Sequence, residues 1–231
     1  MTAGLPARYT NTMSPETPPD KVILRPGTPA DAAGAAPLIR AAGPVLYDRL
    51  FGPRPEDAVG FFETLFGLPD SLFSYENATV AVAVADGRVV GLALAVPAAH
   101  SHRGAALPRQ LLRRGPRFLL RLLPAVLALR RSTTPPPPDA FYLGILSVAA
   151  SHRNHGIGAR LLGEVHRRAQ EAGCVCVCLY AERDNDGARR FYERHGYRVT
   201  HEHSTPRAAA WGVSGFVGMC REPPPHKASP Q

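Results

Sequence analysis

The sequence predicts a mixed α/β domain, and three stretches carry that expectation. Thr79 to Ala85 and Val89 to Val96 are apolar, β-branched runs joined by Asp86-Gly87-Arg88, a strong hairpin signal. Phe141 to Val148 has the length and residue types of a buried strand, and beyond it Ile157, Leu161, Leu162, Val165 and Ala169 recur at helical spacing. The turn between them is therefore a strand-to-helix junction. Val175 to Tyr180 then reads as a further strand ahead of another helical stretch.

In chain order, Met1 to Asp20 is rich in Pro, Thr and Ser and has no apolar core segment. It reads as a disordered tail, neither signal peptide nor membrane anchor, and the cytoplasm is the expected location. One domain is expected over residues 21–221, since 231 residues with 45% apolar content can bury a full core. Val22 to Arg25 is a first strand. Thr28-Pro29-Ala30-Asp31 supplies a capping hydroxyl, a proline at the first helical position and an acid two residues later, so a helix runs from about Pro29 to Ala42. Gly43, Pro44, Gly52, Pro53 and Pro55 punctuate a link to a second helix over Glu56 to Phe66. The last strands are expected at Tyr197 to His203 and Ser214 to Cys220, with residues 222–231 as a tail.

An insert at residues 97–140 separates the third strand from the fourth. From His100 to Arg131 it holds eight arginines and no acid, which equals the whole net charge of +8. Leu119, Leu122, Leu123, Val126 and Leu127 form an apolar stripe opposite Arg117 and Arg121, a basic amphipathic helix that Pro124 would kink. It is too short and too charged to span a bilayer, and Pro135 to Pro138 follows as a stiff spacer. Cys174, Cys176 and Cys178 alternate along one strand and share a face, where neighbours on a single strand are badly placed to bridge one another. A metal site completed by His201 and His203 competes with small buried residues on a central strand; the second interpretation is preferred, and no metal is expected.

Chemistry concentrates at the junction Ser151-His152-Arg153-Asn154-His155-Gly156-Ile157-Gly158-Ala159-Arg160. A helix start leaves its first N–H groups unpaired at the positive end of the dipole, which suits a phosphate. Leu161 stands where the dinucleotide fingerprint needs a third glycine, and no Gly-Lys-Ser/Thr is present for a P-loop. What remains, Arg-x-x-Gly-x-Gly, resembles the pyrophosphate-binding motif of the GNAT superfamily of acyl-CoA-dependent N-acyltransferases. A second block, Asn185-Asp186-Gly187-Ala188-Arg189-Arg190-Phe191-Tyr192-Glu193-Arg194-His195-Gly196-Tyr197, looks like that superfamily's Asn-x-x-Ala-x-x-Phe-Tyr-x-x-x-Gly-Phe/Tyr signature. The resemblance covers about Val22 to Arg221 and is strong from Phe141 to Val199.

The resemblance implies a mixed, mostly antiparallel sheet splayed between its fourth and fifth strands, helices on both faces, and coenzyme A in the cleft. It implies transfer of an acetyl group from acetyl-CoA to a primary amine by direct attack in a ternary complex. By resemblance, Arg153 and the N–H groups of Asn154, His155, Gly156, Ile157, Gly158 and Ala159 hold the pyrophosphate. The backbones of Leu146 and Val148 pair with the pantetheine amides, and Asn185 and Ala188 line the coenzyme side. Tyr192 also borders the coenzyme and protonates the departing thiolate. No carboxylate stands on the fourth strand, where some members carry a base; Asp139, Glu182, His100, His102 and a water relay are the alternatives. Two other functions compete: a catalytically silent acyl-CoA-binding domain, and a polyanion or membrane-surface binder acting through the arginine insert. The insert is expected to cover the acceptor side or a homodimer partner.

Overall fold

The computed structural model describes residues 21–51, 54–101, 106–113, 115, 118, 120, 134–203 and 214–222. Its strands are β1 Val22–Pro26, β2 Ala78–Ala83, β3 Val89–Pro97, β4 Ala140–Val148, β5 Cys176–Glu182, β6 Arg198–His203 and β7 Phe216–Arg221. They form a single sheet in the order β1-β2-β3-β4-β5-β7-β6. Only β4 and β5 run parallel; every other pair is antiparallel. The helices are α1 Ala32–Ala41, α2 Pro44–Phe51, α3 Pro55–Phe66, α4 Ala106–Arg113, α5 Ile157–Glu171 and α6 Asp186–Arg194.

The sheet is packed on both faces. Against one face, Ile157, Leu161, Leu162, Val165 and Ala169 of α5 and Tyr192 of α6 meet Ala81, Ala93, Phe141, Leu143, Val177, Leu179, Val217 and Met219. Against the other, Ala35, Ala36, Leu38 and Ile39 of α1 and Phe61, Phe62, Leu65 and Phe66 of α3 meet Val80, Val82, Leu92, Leu94 and Ile145. This two-layer burial is what near-continuous apolar strands require. Arg168 extends α5 over the sheet, donating to the carbonyls of Asn77 and Ala95 at 3.0 and 3.2 Å while its guanidinium lies 5.7 Å from the Phe141 ring.

The chain enters its first helix as the capping signal predicts. Thr28 and Asp31 form a capping box around a 3-10 turn at Pro29–Asp31, and α1 follows. Arg25 donates to both Asp31 oxygens at 2.7 Å, and that side-chain pairing, ahead of the desolvation opposing it, lowers the Asp31 pKa. The link after α1 differs from expectation. Pro44–Phe51 of that link form a helix, α2, because Tyr47 and Phe51 pack on Phe62 and Phe61 of α3 at 4.7 and 4.8 Å between ring centroids. Tertiary packing thus overrides the punctuation of the segment.

Of the insert, residues 97–101, α4, positions 115, 118 and 120, and residues 134–140 are described; Phe118 lies 5.6 Å from the Phe51 ring. The stripe residues Leu119, Leu122, Leu123, Val126 and Leu127, with Arg117, Arg121 and Pro124, lie outside the described residues, as do both expected tails except Glu222. Among the described residues, no helix is long and apolar enough to cross a membrane.

Candidate active site

A wedge opens inside the sheet. The parallel rungs of β4 and β5 run from Ala140 opposite Cys176 to Leu143 opposite Leu179 and stop there. Beyond that rung β4 stays paired with β3 and β5 with β7, so Gly144 to Val148 and Tyr180 to Glu182 part from each other. This is the expected splay. A bulge within β4, absent from the sequence-based expectation of a regular strand, accompanies it. Ile145 pairs Leu94 and Leu143 pairs Ala95, leaving Gly144 as the extra residue. The side-chain alternation therefore turns over: Phe141 and Leu143 face α5, Ile145 faces α1 and α3, and Leu146 and Val148 return to the α5 side. A Cβ on Gly144 would come 3.0 Å from Leu72 Cδ2, which accounts for glycine at the bulge.

At the end of β4 the chain makes a 3-10 turn, Ala150–His152, then passes through Asn154 at φ 66° and Gly156 at φ 74° before α5 begins. Left-handed residues alternating with ordinary ones turn successive N–H groups inward, the geometry of an anion nest. None of the N–H groups from Asn154 to Ala159 finds a protein acceptor among the described residues; the first bond of the helix is Arg160 N–H to Gly156 O at 3.1 Å. An uninterrupted run of free donors at the positive end of a fifteen-residue helix is ready to bind phosphate. Arg153 donates through Nε to Val148 O at 3.1 Å, tying this loop to the wedge edge of β4.

The two sequence blocks converge here. A Cβ on Gly158 would sit 3.5 Å from Phe191 Cζ and 3.9 Å from Val148 Cγ2, so the start of α5, the second half of α6 and the end of β4 come together. Asn185 caps α6 by accepting the Ala188 N–H at 3.0 Å, a structural task the sequence comparison did not assign it, and Ala188 packs on the α5 core. Tyr192 is buried between Phe191 and Tyr197, with ring centroids at 5.3 and 5.5 Å. Burial raises its phenol pKa well above the ordinary value. Its hydroxyl has no hydrogen-bond partner among the described residues. Behind it, Tyr197 hydrogen-bonds buried His166 Nε2 at 3.2 Å.

The opposite bank of the wedge is made by the even-numbered residues of β5. Tyr180 and Glu182 sit there, half-buried, with Tyr142 of β4 at 6.4 Å between ring centroids from Tyr180. Tyr180 Oη lies 2.9 Å from His201 Nε2, and the imidazole lies directly over Gly218, where a Cβ would fall 2.3 Å from the ring. Glu182 reaches toward the α1–α2 junction, where a Cβ on Gly43 would be 3.7 Å from its Oε1 and 3.5 Å from Tyr47 Cε2. Burial, then the charge of Asp184, holds the Glu182 carboxyl above the usual range. Of the other candidate bases, Asp139 and His100 are exposed and His102 lies outside the described residues. Sequence reasoning singled out neither Tyr47 nor Tyr180 and weighed His201 only as a metal ligand; for Tyr180, the alternation with Glu182 was the available signal.

The profile described as the "Acetyltransferase (GNAT) family" matches residues 46–197, well over half of the chain. The chain belongs to the GNAT acetyltransferase family. A mycothiol acetyltransferase of Corynebacterium aurimucosum is 39% identical over 59 residues, 26% of this chain; the match spans only 19% of that protein. Among solved structures, one titled as an acetyltransferase superposes with a TM-score of 0.66 at 22% identity, covering 87% of this chain and all of the other. A chain of the NatC complex bound to Gag peptide and CoA gives a TM-score of 0.50 at 16% identity over 87% of this chain and 98% of its own. Both likenesses are of fold.

The cysteines of this GNAT chain hold a bridge that the sequence reading did not consider: Cys178 and Cys220 face each other across β5 and β7 and form a disulfide, with Cα atoms 4.2 Å apart. Pairing within β5 is indeed not made; the partner comes from the adjacent strand, 42 residues on. Cys174 and Cys176 are free thiols, and the Cys176 sulfur lies 3.6 Å from that of Cys178. Among the described residues no group of three or more His, Cys, Asp or Glu is arranged to hold a metal.

Proposed function

We propose that this GNAT chain moves an acetyl group from acetyl-CoA to a primary amine by direct attack in a ternary complex. One observation carries the reading: the unpaired N–H groups of Asn154 to Ala159 open onto the edge of β4 that the splay leaves without a strand partner. Phosphate oxygens fit the donors of the loop, and an extended chain bearing amides fits the strand edge at Leu146 and Val148, where the Val148 carbonyl also accepts from Arg153. Asn185 and Ala188 flank the path on the α6 side. The family's reaction needs its two substrates side by side; well-oriented reactants gain effective molarities of about 10⁵ to 10⁸ M.

In this reading Tyr192 gives its proton to the leaving thiolate. Its raised pKa keeps it protonated at neutral pH, so the donor is always loaded, although a stronger acid would give the proton up more readily. The chain's own contribution is then geometric and electrostatic: donors for the phosphates, an edge for the amides, and a proton at Tyr192 Oη.

Calorimetry with acetyl-CoA on two Gly156 variants tests the donor site. Gly156→Asn tolerates the left-handed φ of 74° and should retain binding. Gly156→Val puts a branched side chain into open space beside the free donors and strains the turn, so binding should be lost. Undiminished affinity in a folded Gly156→Val preparation would sink the site.

A further inference from the structure

Glu182 is half-buried, and its carboxylate makes no hydrogen bond or ion pair among the described residues. Other carboxylates differ: Glu202 pairs with Arg183 at 4.0 Å, and Asp31 and Asp48 each hold an arginine. A partly desolvated carboxylate without a cation is costly, so such a group in a cleft is suited to a cationic ligand. Three aromatic rings stand around the same opening. Tyr47 of α2 is close enough to interact electrostatically with both Glu182 and Tyr142 of β4, and Tyr142 with Tyr180. Ring faces and a carboxylate together recognise an alkylammonium group. Register places Glu182 three residues beyond the last β4–β5 rung, on the bank facing the β4 edge proposed to hold the thioester arm.

We propose, on the basis of the amine-acetylation reading above, that Glu182 accepts the proton of the acceptor ammonium. The acceptor is a small cationic primary amine with no carboxylate beside its nitrogen, seated against Tyr47, Tyr142 and Tyr180. In the step, an N–H bond of the ammonium breaks and the proton passes to a Glu182 oxygen. The freed lone pair forms the C–N bond to the acetyl carbonyl carbon of acetyl-CoA. The C–S bond breaks with its electron pair on sulfur, which takes the Tyr192 proton. The nitrogen's surplus proton returns to the Tyr192 oxygen, and Glu182 releases its own to solvent. The exclusion of α-carboxylates follows from charge, because Glu182 and Asp184 would both repel one. The titratable groups around Glu182 are Tyr47 from α2, Tyr142 from β4 and Asp184 at the exit of β5. As pH falls toward its raised pKa, the Glu182 carboxyl switches from proton acceptor to neutral acid.

The test uses tyramine, tyrosine amide and tyrosine as acceptors in a thiol-release assay with the full chain. Tyramine and tyrosine amide should be acetylated and tyrosine disfavoured. Glu182→Gln should lower kcat/KM for tyramine by about 10²- to 10³-fold, within the usual range for a lost acid–base group, and abolish the acidic limb of the pH profile. Acetyl-CoA affinity should not move. Should Glu182→Gln fail to fold, Glu182→Asp keeps the charge and should shift that limb. A kcat/KM within threefold of wild type for Glu182→Gln overturns the role of Glu182, and a preference for tyrosine overturns the acceptor class. Binding of acetyl-CoA without turnover of any of the three overturns the acceptor class while leaving the donor site standing. Failure of the wild-type chain to bind acetyl-CoA brings down both.

Discussion

Tyr192 is a packing residue to which the proposed mechanism also gives a chemical role. It lies in the α5 core against Phe191 and Tyr197, yet its hydroxyl has no protein partner among the described residues. Tyr192→Phe keeps the ring, so melting temperature and acetyl-CoA affinity should stay near wild type. The kcat should fall by about 10²- to 10⁴-fold if chemistry limits the rate, the span of general-acid contributions. A kcat within about threefold would remove the residue from the mechanism. Gly218 makes the complementary case. Gly218→Ala would drive a methyl into the His201 ring and should break the contact with Tyr180, at about 1–3 kcal/mol in a denaturant titration, the usual cost of overpacking. Tyr192 was legible in the sequence because it sits in a local pattern. Gly218 was not, because its reason is a histidine on the neighbouring strand.

Among the elements, β4 departs most from its sequence pattern. Phe141 to Val148 reads as an uninterrupted apolar strand, and strand propensity carries no mark of the bulge at Gly144. The glycine is needed where Leu72 presses on the strand, a contact between segments seventy-two residues apart. α2 was missed for a related reason: its flanking glycines and prolines signal a loop, while Tyr47 and Phe51 form a helix face only when α3 is there to receive it. The insert joins this layer through Phe118 on Phe51. Removing Ser101 to Ser132 with a short linker should therefore raise the KM for tyramine and leave calorimetric acetyl-CoA affinity unchanged. Unchanged acceptor kinetics and oligomeric mass would make the insert dispensable to both.

For the molecule as a whole, two buried groups set the response to acid. Burial, then the charges of Arg221 and His195, lowers the His166 pKa to about 4 from 6.5. The unfolded chain therefore binds a proton first, and stability should fall as pH drops from about 6.5 to about 4, by on the order of 2 kcal/mol. Asp31 adds a second loss below about pH 4, since its lowered pKa makes the folded state the weaker proton binder. Chemical denaturation across this range should show both steps, and His166→Leu should flatten the upper one. Reducing the Cys178–Cys220 bond frees a 42-residue loop, worth about 2–4 kcal/mol in the chain-entropy account, so the melting temperature should drop by roughly 5–10 °C. An unchanged melting temperature after verified reduction would show that the bond contributes nothing. The sequence by itself determined the starts of α1, α3 and α5, the hairpin and the loop ahead of α5, because caps, turns and glycine conformations are settled within a few residues of chain. It also carried the family, through two short blocks, Arg153 to Gly158 and Asn185 to Tyr197. Only the tertiary structure decided the point where β4 and β5 part, the bulge, the disulfide partner from β7 and the neighbours of Glu182. Those depend on register between distant segments, which no local spacing encodes.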